Sequence, residues 1–538
     1  MIACPNCGGN VKFDITAQQL SCEYCHEFFD PAAFDHKTSD GIEEQDFETT
    51  IFTCPQCGGE IYSTDNQSAG FCSFCGASTI LFSRLTRTRK PNFIIPFKKT
   101  KEDCKTAYSK MMKNAFFAPE ALKNPKNIDS FRGIYMPYWA YYYTQKGPLH
   151  LKGTKSHRRG DYIYTDHYDL SGDLDAYYKG LYYDASSSFA DEISEKVAPF
   201  DVKGMKKFSP GYLSGFYADT SDVPYEVYQA EAESTAYTGT LSEINKVPAF
   251  SGISIDKKNL STPASLNTRL EGVDSALFPV WFMSYRNKDR VAYATVNGQT
   301  GKVVVDIPID MKKYLLGSAL LAVPLFIILS LFLSLVPSKL VLLTSIIAIV
   351  SAIIYVVELS RIAKQESLEN DRGLLARTNV NDAMKASSDA AVKSNQKQAS
   401  TTKKSGALAV FKIMGIIYGT FVAITLLSAI MRGVSFSGIG FWLVALIVMV
   451  LTFVFGGIKM SKIPGKESIL GFIATAVSVL LGAGICIFDP VYDVFFYVAA
   501  ILCLIAIILN VRDIVNYYNI LSTRKLPQFE KQGGDDRA

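Results

Sequence analysis

The sequence predicts a multidomain chain: two small β modules, an α+β domain, and an all-α membrane domain of six transmembrane helices. Three observations predict it. Eight of the eleven cysteines fall in a duplicated CxxC pattern before residue 80. A tyrosine-rich stretch over 91–311 mixes strand-like and helix-like runs. Six apolar runs crowd the C-terminal part of the 538 residues.

The first element is the repeat. CPNCGG at 4–9 returns as CPQCGG at 54–59, and Cys4, Cys7, Cys22 and Cys25 map onto Cys54, Cys57, Cys72 and Cys75 by adding 50. Fourteen residues separate the pairs within each set, enough for a short β-hairpin. Proline restricts φ before the turn, and Gly8 or Gly58 accepts the left-handed φ that closes it. Four thiolates at about 2.3 Å from one Zn²⁺ make a closed tetrahedral shell with no position for a catalytic water. The spacing therefore predicts two zinc ribbons, 1–30 and 51–80, joined by an acidic linker at 31–50, with two structural Zn²⁺ per chain. Disulfides or a rubredoxin-like iron are the other uses of such cysteines. Disulfides suit secreted chains, and the N-terminus does not read as a signal peptide. The second pair of the first set reads CEYCHE where its counterpart reads CSFCGA, and His26 is expected to face solvent beside a complete Cys₄ set.

After RLTRTRK comes the α+β cytoplasmic domain, 91–311. A helix is predicted from Thr100 through KEDCKTAYSKMMKNAFF, with Asp103 closing a capping box. GIYMPYWAYYY, DYIYTDHYDL and LDAYYKGLYYD read as strands rich in β-formers. Helices are expected over 187–197 and 222–243, and LFPVWFMSYR, RVAYATV and KVVVDIPI read as strands joined by NKD and NGQTG turns. Pro137-x-Trp139 and Pro279-x-Trp281 echo each other, and packed core aromatics at sheet edges are favoured over a paired binding surface.

The runs 314–336, 340–357, 413–431, 441–458, 469–488 and 494–511 each have 18 to 23 residues, enough to cross about 30 Å of hydrocarbon. They group as a transmembrane hairpin (312–361), a polar linker (362–405) that reads as partly disordered or loosely helical, helices three to six (406–514) and a tail (515–538). Residues 1–311 carry 33 Lys and Arg against 38 Asp and Glu, a net of −5; residues 312–538 carry 22 against 13, a net of +9. The positive charge sits before the first run, between the second and third, between the fourth and fifth, and after the sixth. That places both termini in the cytoplasm of a multi-pass protein of the inner cell membrane.

The chain resembles a family of bacterial membrane proteins with transcription-factor-IIB-type zinc ribbons, some of them labelled primosomal helicase-like. The residues that carry the likeness are CPxCGG with its paired CxxC, PNFIIPFKKTKEDC, GIYMPYWAYYY, FSPGYLSGFYAD, LFPVWFMSYR, VNGQTGKVVVDIPID and LSTRKLPQFEKQGGDDRA. The resemblance implies a role in membrane-stress response, with phage-shock-type or flotillin-like partners. It departs from shorter relatives in having two ribbons and six helices.

No Walker loop, GxSxG, HExxH or helicase motif set is present, so an enzyme is not expected. His157, Asp161, Asp166 and His167 read as polar hairpin residues in preference to a second metal site. A transporter or lipid-handling protein would want ionisable groups within the bilayer; only Lys412 comes close, near a helix end where it can snorkel to the interface. A membrane tether for nucleic acid would need many phosphate contacts, against a net −5 soluble part with one short basic run. The remaining expectation is a cytoplasm-facing adaptor or scaffold, bound to the bilayer and to a protein partner.

Overall fold

A computed structural model describes residues 2–34, 46–64, 72–77, 81–244, 246–256, 262–332, 336–366, 371–396, 439–460 and 470–525. The chain builds two small N-terminal Cys₄ β modules, a mixed β-sheet domain and a helical C-terminal region.

The first module is a three-stranded antiparallel sheet of β1 (Val11–Asp14), β2 (Gln19–Cys22) and β3 (Phe28–Phe29). The hairpin expected between its cysteine pairs is β1–β2, paired from Val11↔Cys22 to Asp14↔Gln19. The second module is not a separate bead. Strands β4 (Asp46–Thr53), β5 (Glu60–Ser63) and β6 (Phe82–Arg89) belong to a thirteen-stranded sheet. The boundary expected between the 51–80 ribbon and the 91–311 domain therefore runs through one sheet. Burial gives the reason. Phe52, Ile61 and Tyr62 are large apolar residues that a ribbon this small cannot enclose, and the pairing of β5 with β11 (Tyr217–Asp219) sets Tyr217 edge-on to Phe52 at 6.1 Å.

The sheet continues through β7 (Phe93–Ile94) into α1 (Lys101–Lys113). The predicted capping box forms: Asp103 N–H donates to Thr100 Oγ1 at 3.2 Å and Thr100 N–H to Asp103 Oδ2 at 3.0 Å. Thr100→Ala is expected to cost about 1 kcal/mol, seen as a lower denaturation midpoint for the soluble part. Phe116 and Phe117, expected within this helix, lie beyond it, because Asn114 ends the helix before the two short helices α2 (Glu120–Lys123) and α3 (Pro125–Ile128).

Two long strands, β8 (Arg132–Arg159) and β9 (Tyr162–Asp184), form one hairpin, followed by α4 (Asp191–Val197), β10 (Lys206–Lys207), β11 (Tyr217–Asp219), α5 (Gln229–Ile244) and β12 (Ser254–Asp256). Then come β13 (Thr268–Asn287), β14 (Arg290–Asn297) and β15 (Val303–Val305), joined by the predicted turns. The two prolines of the Pro-x-Trp echo are not at a sheet edge. β13 and β8 are neighbours, with Leu277 opposite Pro137 and Pro279 opposite Tyr135. On its other side β8 is paired with β11 through Tyr135 and with β9 from Tyr138 onward, so Pro137 falls where the partner changes. Pro279 falls in the matching gap of β13, between β7, which ends at Leu277, and β14, which begins at Val280. A residue without an N–H costs nothing where no ladder bond is due. Both tryptophans donate to backbone carbonyls, Trp139 to Val223 at 2.8 Å and Trp281 to Lys99 at 2.9 Å. Their chain neighbours Tyr138 and Phe278 stack at 4.6 Å on the other face of the sheet, in a buried apolar cluster.

The helical region holds α6 (Met311–Phe332), α7 (Pro337–Glu366), α8 (Arg372–Thr378), α9 (380–396), α10 (Ile439–Met460), α11 (Leu470–Phe488) and α12 (Val494–Leu521). Among the described residues, four helices are long and apolar enough to cross a membrane: α6, α7, α11 and α12. Helix α10 adds a shorter apolar segment, Ala445–Val454, and the predicted run 413–431 lies outside the described residues. Helices α7, α10, α11 and α12 share a core of Val341, Trp442, Val479, Phe496 and Ala499. Fully buried Asn510 links three of them, donating to Ser351 Oγ and Thr475 Oγ1 at 2.8 Å each.

The β-sheet domain is bonded to both ends of this region. At the start of α6, Asp310 N–H donates to Phe117 O at 2.7 Å. At the end of α12, Asn519 exchanges two hydrogen bonds with Ile309, at 2.6 and 2.9 Å. Arg290 caps the carbonyls of Ile520 and Thr523 at 2.8 and 2.9 Å, and β16 (Arg524–Lys525) joins β14. The described part of the 362–405 linker is helical and docked: Ala376 and Ala383 pack in a core with Tyr141, Tyr143, Tyr228 and Ala232.

Candidate metal centres

Each Cys₄ set converges as the spacing predicts. The ligand sulfurs of Cys4, Cys7, Cys22 and Cys25 lie within 4.8 Å of one another, as do those of Cys54, Cys57, Cys72 and Cys75. Four turns of one design bring them together. Cys4 N–H donates to Gly9 O and Gly8 N–H to Cys4 O, at 2.7 and 2.8 Å; Cys54 does the same with Gly59 and Gly58, at 2.9 and 2.8 Å. Cys22 with Glu27 and His26, and Cys72 with Ala77 and Gly76, close the second turns at 2.9–3.1 Å.

The left-handed position of each turn explains the departure in the first set. Gly8, Gly58 and Gly76 have φ near +70°, and His26 occupies the equivalent place at +58°. An exposed histidine accepts that conformation at some cost in backbone strain. His26 is thus a turn residue, and the four thiols beside it are complete without it.

The sulfur separations test the chemistry. Cys4–Cys25 and Cys7–Cys22 are 3.6 and 3.5 Å apart, and Cys54–Cys75 and Cys57–Cys72 are 3.8 and 3.7 Å. A disulfide needs about 2.05 Å, so these cysteines are not bridged. Metal–sulfur bonds of about 2.3 Å at the tetrahedral angle require about 3.8 Å between sulfurs. The donor sets therefore fit an ion bound by four thiolates, one in each cluster.

The clusters differ in surroundings, which the sequence does not show. In the second all four cysteines are buried. Tyr293 Oη donates to Phe74 O at 2.8 Å inside its second turn, Phe74 meets Phe282 edge-on at 6.3 Å, and Arg286 donates to Gln56 Oε1 at 2.7 Å. In the first, Cys4 and Cys22 face the domain while Cys7 and Cys25 are exposed. Phe13 N–H bonds Ser214 O at 3.0 Å, Gln18 donates to Phe97 O at 2.7 Å and Ser209 to Pro31 O at 2.6 Å, so the module is held from one side. Its far side carries Tyr24, 74% exposed, and Phe28, 51% exposed.

Sequence reasoning missed a second polar centre, where the linker docks. Arg372 N–H and Nη1 reach Asp191 Oδ2 at 2.9 and 3.1 Å, and its guanidinium grips Glu231 with two nitrogens, Nε at 2.6 Å. Tyr228 Oη donates to Asp191 Oδ1 at 2.6 Å, and Ser234 Oγ to Asn395 Oδ1 at 2.7 Å. Burial, with Asp191 nearby, pushes the Asp371 carboxyl up to about 7. Burial does the same to Asp219, about 7, against the hydroxyls of Ser186 and Ser188 that donate to it. The residues lie far apart in the chain, and only an arginine inside a segment read as a loose linker hinted at them. His157 stands 3.6 Å from Asp166, while Asp161 faces Arg158 at 3.9 Å. Among the described residues these do not form a metal-binding group with His167.

No protein-family profile matches the chain, and no solved structure matches it. Over 317 residues the chain is 28% identical to the uncharacterized protein YdjG of Bacillus subtilis (strain 168), covering 58% of this chain and 90% of that protein. The chain is thus a distant homologue of YdjG, with two zinc-ribbon-like Cys₄ clusters.

Proposed function

We propose that the protein is a zinc-ribbon integral membrane protein that acts as a cytoplasm-facing adaptor, in the setting of membrane stress. The observation that carries the reading is the asymmetry of the two Cys₄ modules. One is absorbed into the domain; the other is held rigidly from behind and turns Tyr24 and Phe28 outward. Exposed aromatics on a rigid support are what a protein-binding hot spot requires. The support is itself bonded to α6 and α12, which keeps the presented face at the membrane.

Each cluster takes a structural Zn²⁺, the closed thiolate shell leaving no open position. Metal analysis of the purified chain should return two zinc ions; one ion, or iron, overturns the assignment. A chain that leaves the soluble domain at α6 and returns to it at α12 makes an even number of crossings. This fits the six apolar runs with both termini on one side, and the positive charge of the loops on that side makes it the cytoplasm of a cell-membrane protein. Impermeant thiol labelling of single cysteines placed at 432–440 and 489–493, but not within 362–405, is the expected pattern.

The adaptor reading is tested by Tyr24→Ser combined with Phe28→Ser. Cross-linked pulldown from membranes should lose a protein partner, phage-shock-type or flotillin-like by the resemblance, while both zinc ions and membrane insertion remain. Recovery of the same partners by the variant sinks the reading. Solute movement by the reconstituted helices puts a transporter in its place, and the interhelical Asn510 and buried Asp513 are the polar groups that such a reading would use.

A further inference from the structure

The turn after α1 reads Asn-Ala-Phe-Phe-Ala-Pro (114–119), with Phe116 76% exposed and Phe117 39% exposed. Isolated apolar residues on a surface are ordinary; the place of these two is not. Phe117 O accepts from Asp310 N–H, and Lys313 Nζ donates to Ala118 O at 3.1 Å and pairs with Glu120. The Phe117 ring meets Tyr314 at 5.5 Å. It also fills the space over Gly317, where a Cβ would stand 2.8 Å from its Cε1. Gly317 lies six residues past Met311, about 9 Å along the axis at 1.5 Å per residue. The turn therefore runs beside the opening turns of a helix long and apolar enough to cross a membrane, whose Leu315, Leu316, Leu320 and Leu321 are exposed. Met111 is exposed on the last turn of α1 with Lys110 and Lys113, Lys126 is exposed seven residues past the turn, and Lys312 is exposed in the first turn of α6.

We propose that the 114–119 turn is an interfacial lipid anchor. Phe116 and Met111 enter the boundary between headgroups and acyl chains of the leaflet that α6 enters, and Lys110, Lys113, Lys126 and Lys312 lie against anionic phospholipid headgroups. Aromatic side chains favour that boundary, and lysines close to an anionic leaflet are attracted to it within a Debye length. The occupant follows from continuity: the bilayer that receives Leu315 and Leu316 begins where Phe116 points away from the protein core. A third contact beside α6 and α12 would stop the domain rocking on its two covalent tethers. The proposal rests on α6 being a membrane span, and not on the adaptor reading.

The test uses the full chain carrying Phe116→Trp, in vesicles of phosphatidylcholine with or without phosphatidylglycerol and brominated high on the acyl chain. The parent's Trp139, Trp281 and Trp442 supply the background to subtract, and Phe82→Trp, 69% exposed on β6, is the solvent-facing control. Phe116→Trp should add blue-shifted emission that the bromines quench, more strongly with phosphatidylglycerol, while Phe82→Trp adds red, unquenched emission. Adding Lys110→Gln and Lys113→Gln should remove the phosphatidylglycerol increment. Red, unquenched emission from Phe116→Trp in protein that resists a carbonate wash overturns the anchor while leaving the membrane span intact. Quenching that ignores both phosphatidylglycerol and the lysines overturns the headgroup half of the proposal. Release of the parent by the carbonate wash removes the membrane reading, and the anchor with it.

Discussion

Cys54→Ser is expected to unfold much of the soluble domain, whereas Cys25→Ser should disturb one module only. Both remove one of two metal equivalents, because a three-thiolate site no longer closes the tetrahedral shell. The consequences diverge with burial. Binding of a structural zinc contributes on the order of 10 kcal/mol of folding free energy, comparable to the entire stability of a domain at about 5–15 kcal/mol. Around the second cluster that energy is coupled to the large sheet: β5 pairs with β4 and β11, and Ser63 Oγ donates to Phe216 O at 2.8 Å. A vacated site there also leaves three buried thiols and a buried hydroxyl without an ion to bind them. Cys54→Ser should lower the melting temperature of the soluble part by roughly 10 °C or more, read by near-ultraviolet circular dichroism with zinc quantified in parallel. Cys25 faces solvent on a module with its own three-stranded sheet. Its loss should shift the same transition by only a few degrees, and a chelator should empty the first cluster before the second. Equal effects from the two variants contradict the asymmetry.

Arg372→Ala should release α8 and α9 from the soluble domain. Removing one member of a buried ion pair costs about 3–5 kcal/mol, because the partner charges stay desolvated. Here Asp191, 4% exposed, loses its guanidinium, and Glu231 loses a two-pronged contact. Hydrogen exchange over 371–396 should become fast while the β8–β13 ladder keeps its protection. Arg372→Lys should rescue only in part, since an ammonium cannot grip Glu231 with two nitrogens. Acidity tunes the same contact. The Asp371 and Asp219 carboxyls are raised to about 7, mainly by burial. Their folded-state affinity for protons exceeds the unfolded value near 3.9, so the stability they contribute is full below about pH 4 and drains as pH rises through about 7. Exchange over 371–396, corrected for intrinsic rate, should therefore be slower at pH 6 than at pH 8. The opposite order would show that the carboxylates are already ionised when docked.

Local chemistry made several parts of this molecule legible. The cysteine spacing carried both metal sites, because a CxxC turn needs only its own backbone and one left-handed residue to aim two sulfurs. The capping box at Thr100 and Asp103, the turns at NKD and NGQTG, and the long apolar helices are likewise settled within a few residues of chain. The docking of the linker was not legible for a corresponding reason. The text of 362–405 is polar and low in aromatics, yet Ala376 and Ala383 find an apolar floor of tyrosines that belongs to distant strands. Composition measures what a segment can bury by itself, and this segment is buried by others.

By itself the sequence determined that there are two Cys₄ sites, which residues form them, and where long apolar helices lie, since each depends on neighbours within a turn or a ribbon. Only the tertiary structure decided that the two sites are unequal. A duplicated motif carries the same turn geometry in both copies, but whether its outer face meets solvent or a core depends on which strands arrive from elsewhere. β11 and the β13–β14 hairpin cover the second copy, and the outward side of the first stays open because nothing in the described chain packs over Tyr24 and Phe28. The same physics placed Pro137 and Pro279 at changes of strand partner instead of sheet edges. A missing N–H is a local fact, whereas the gap that makes it harmless belongs to the whole sheet.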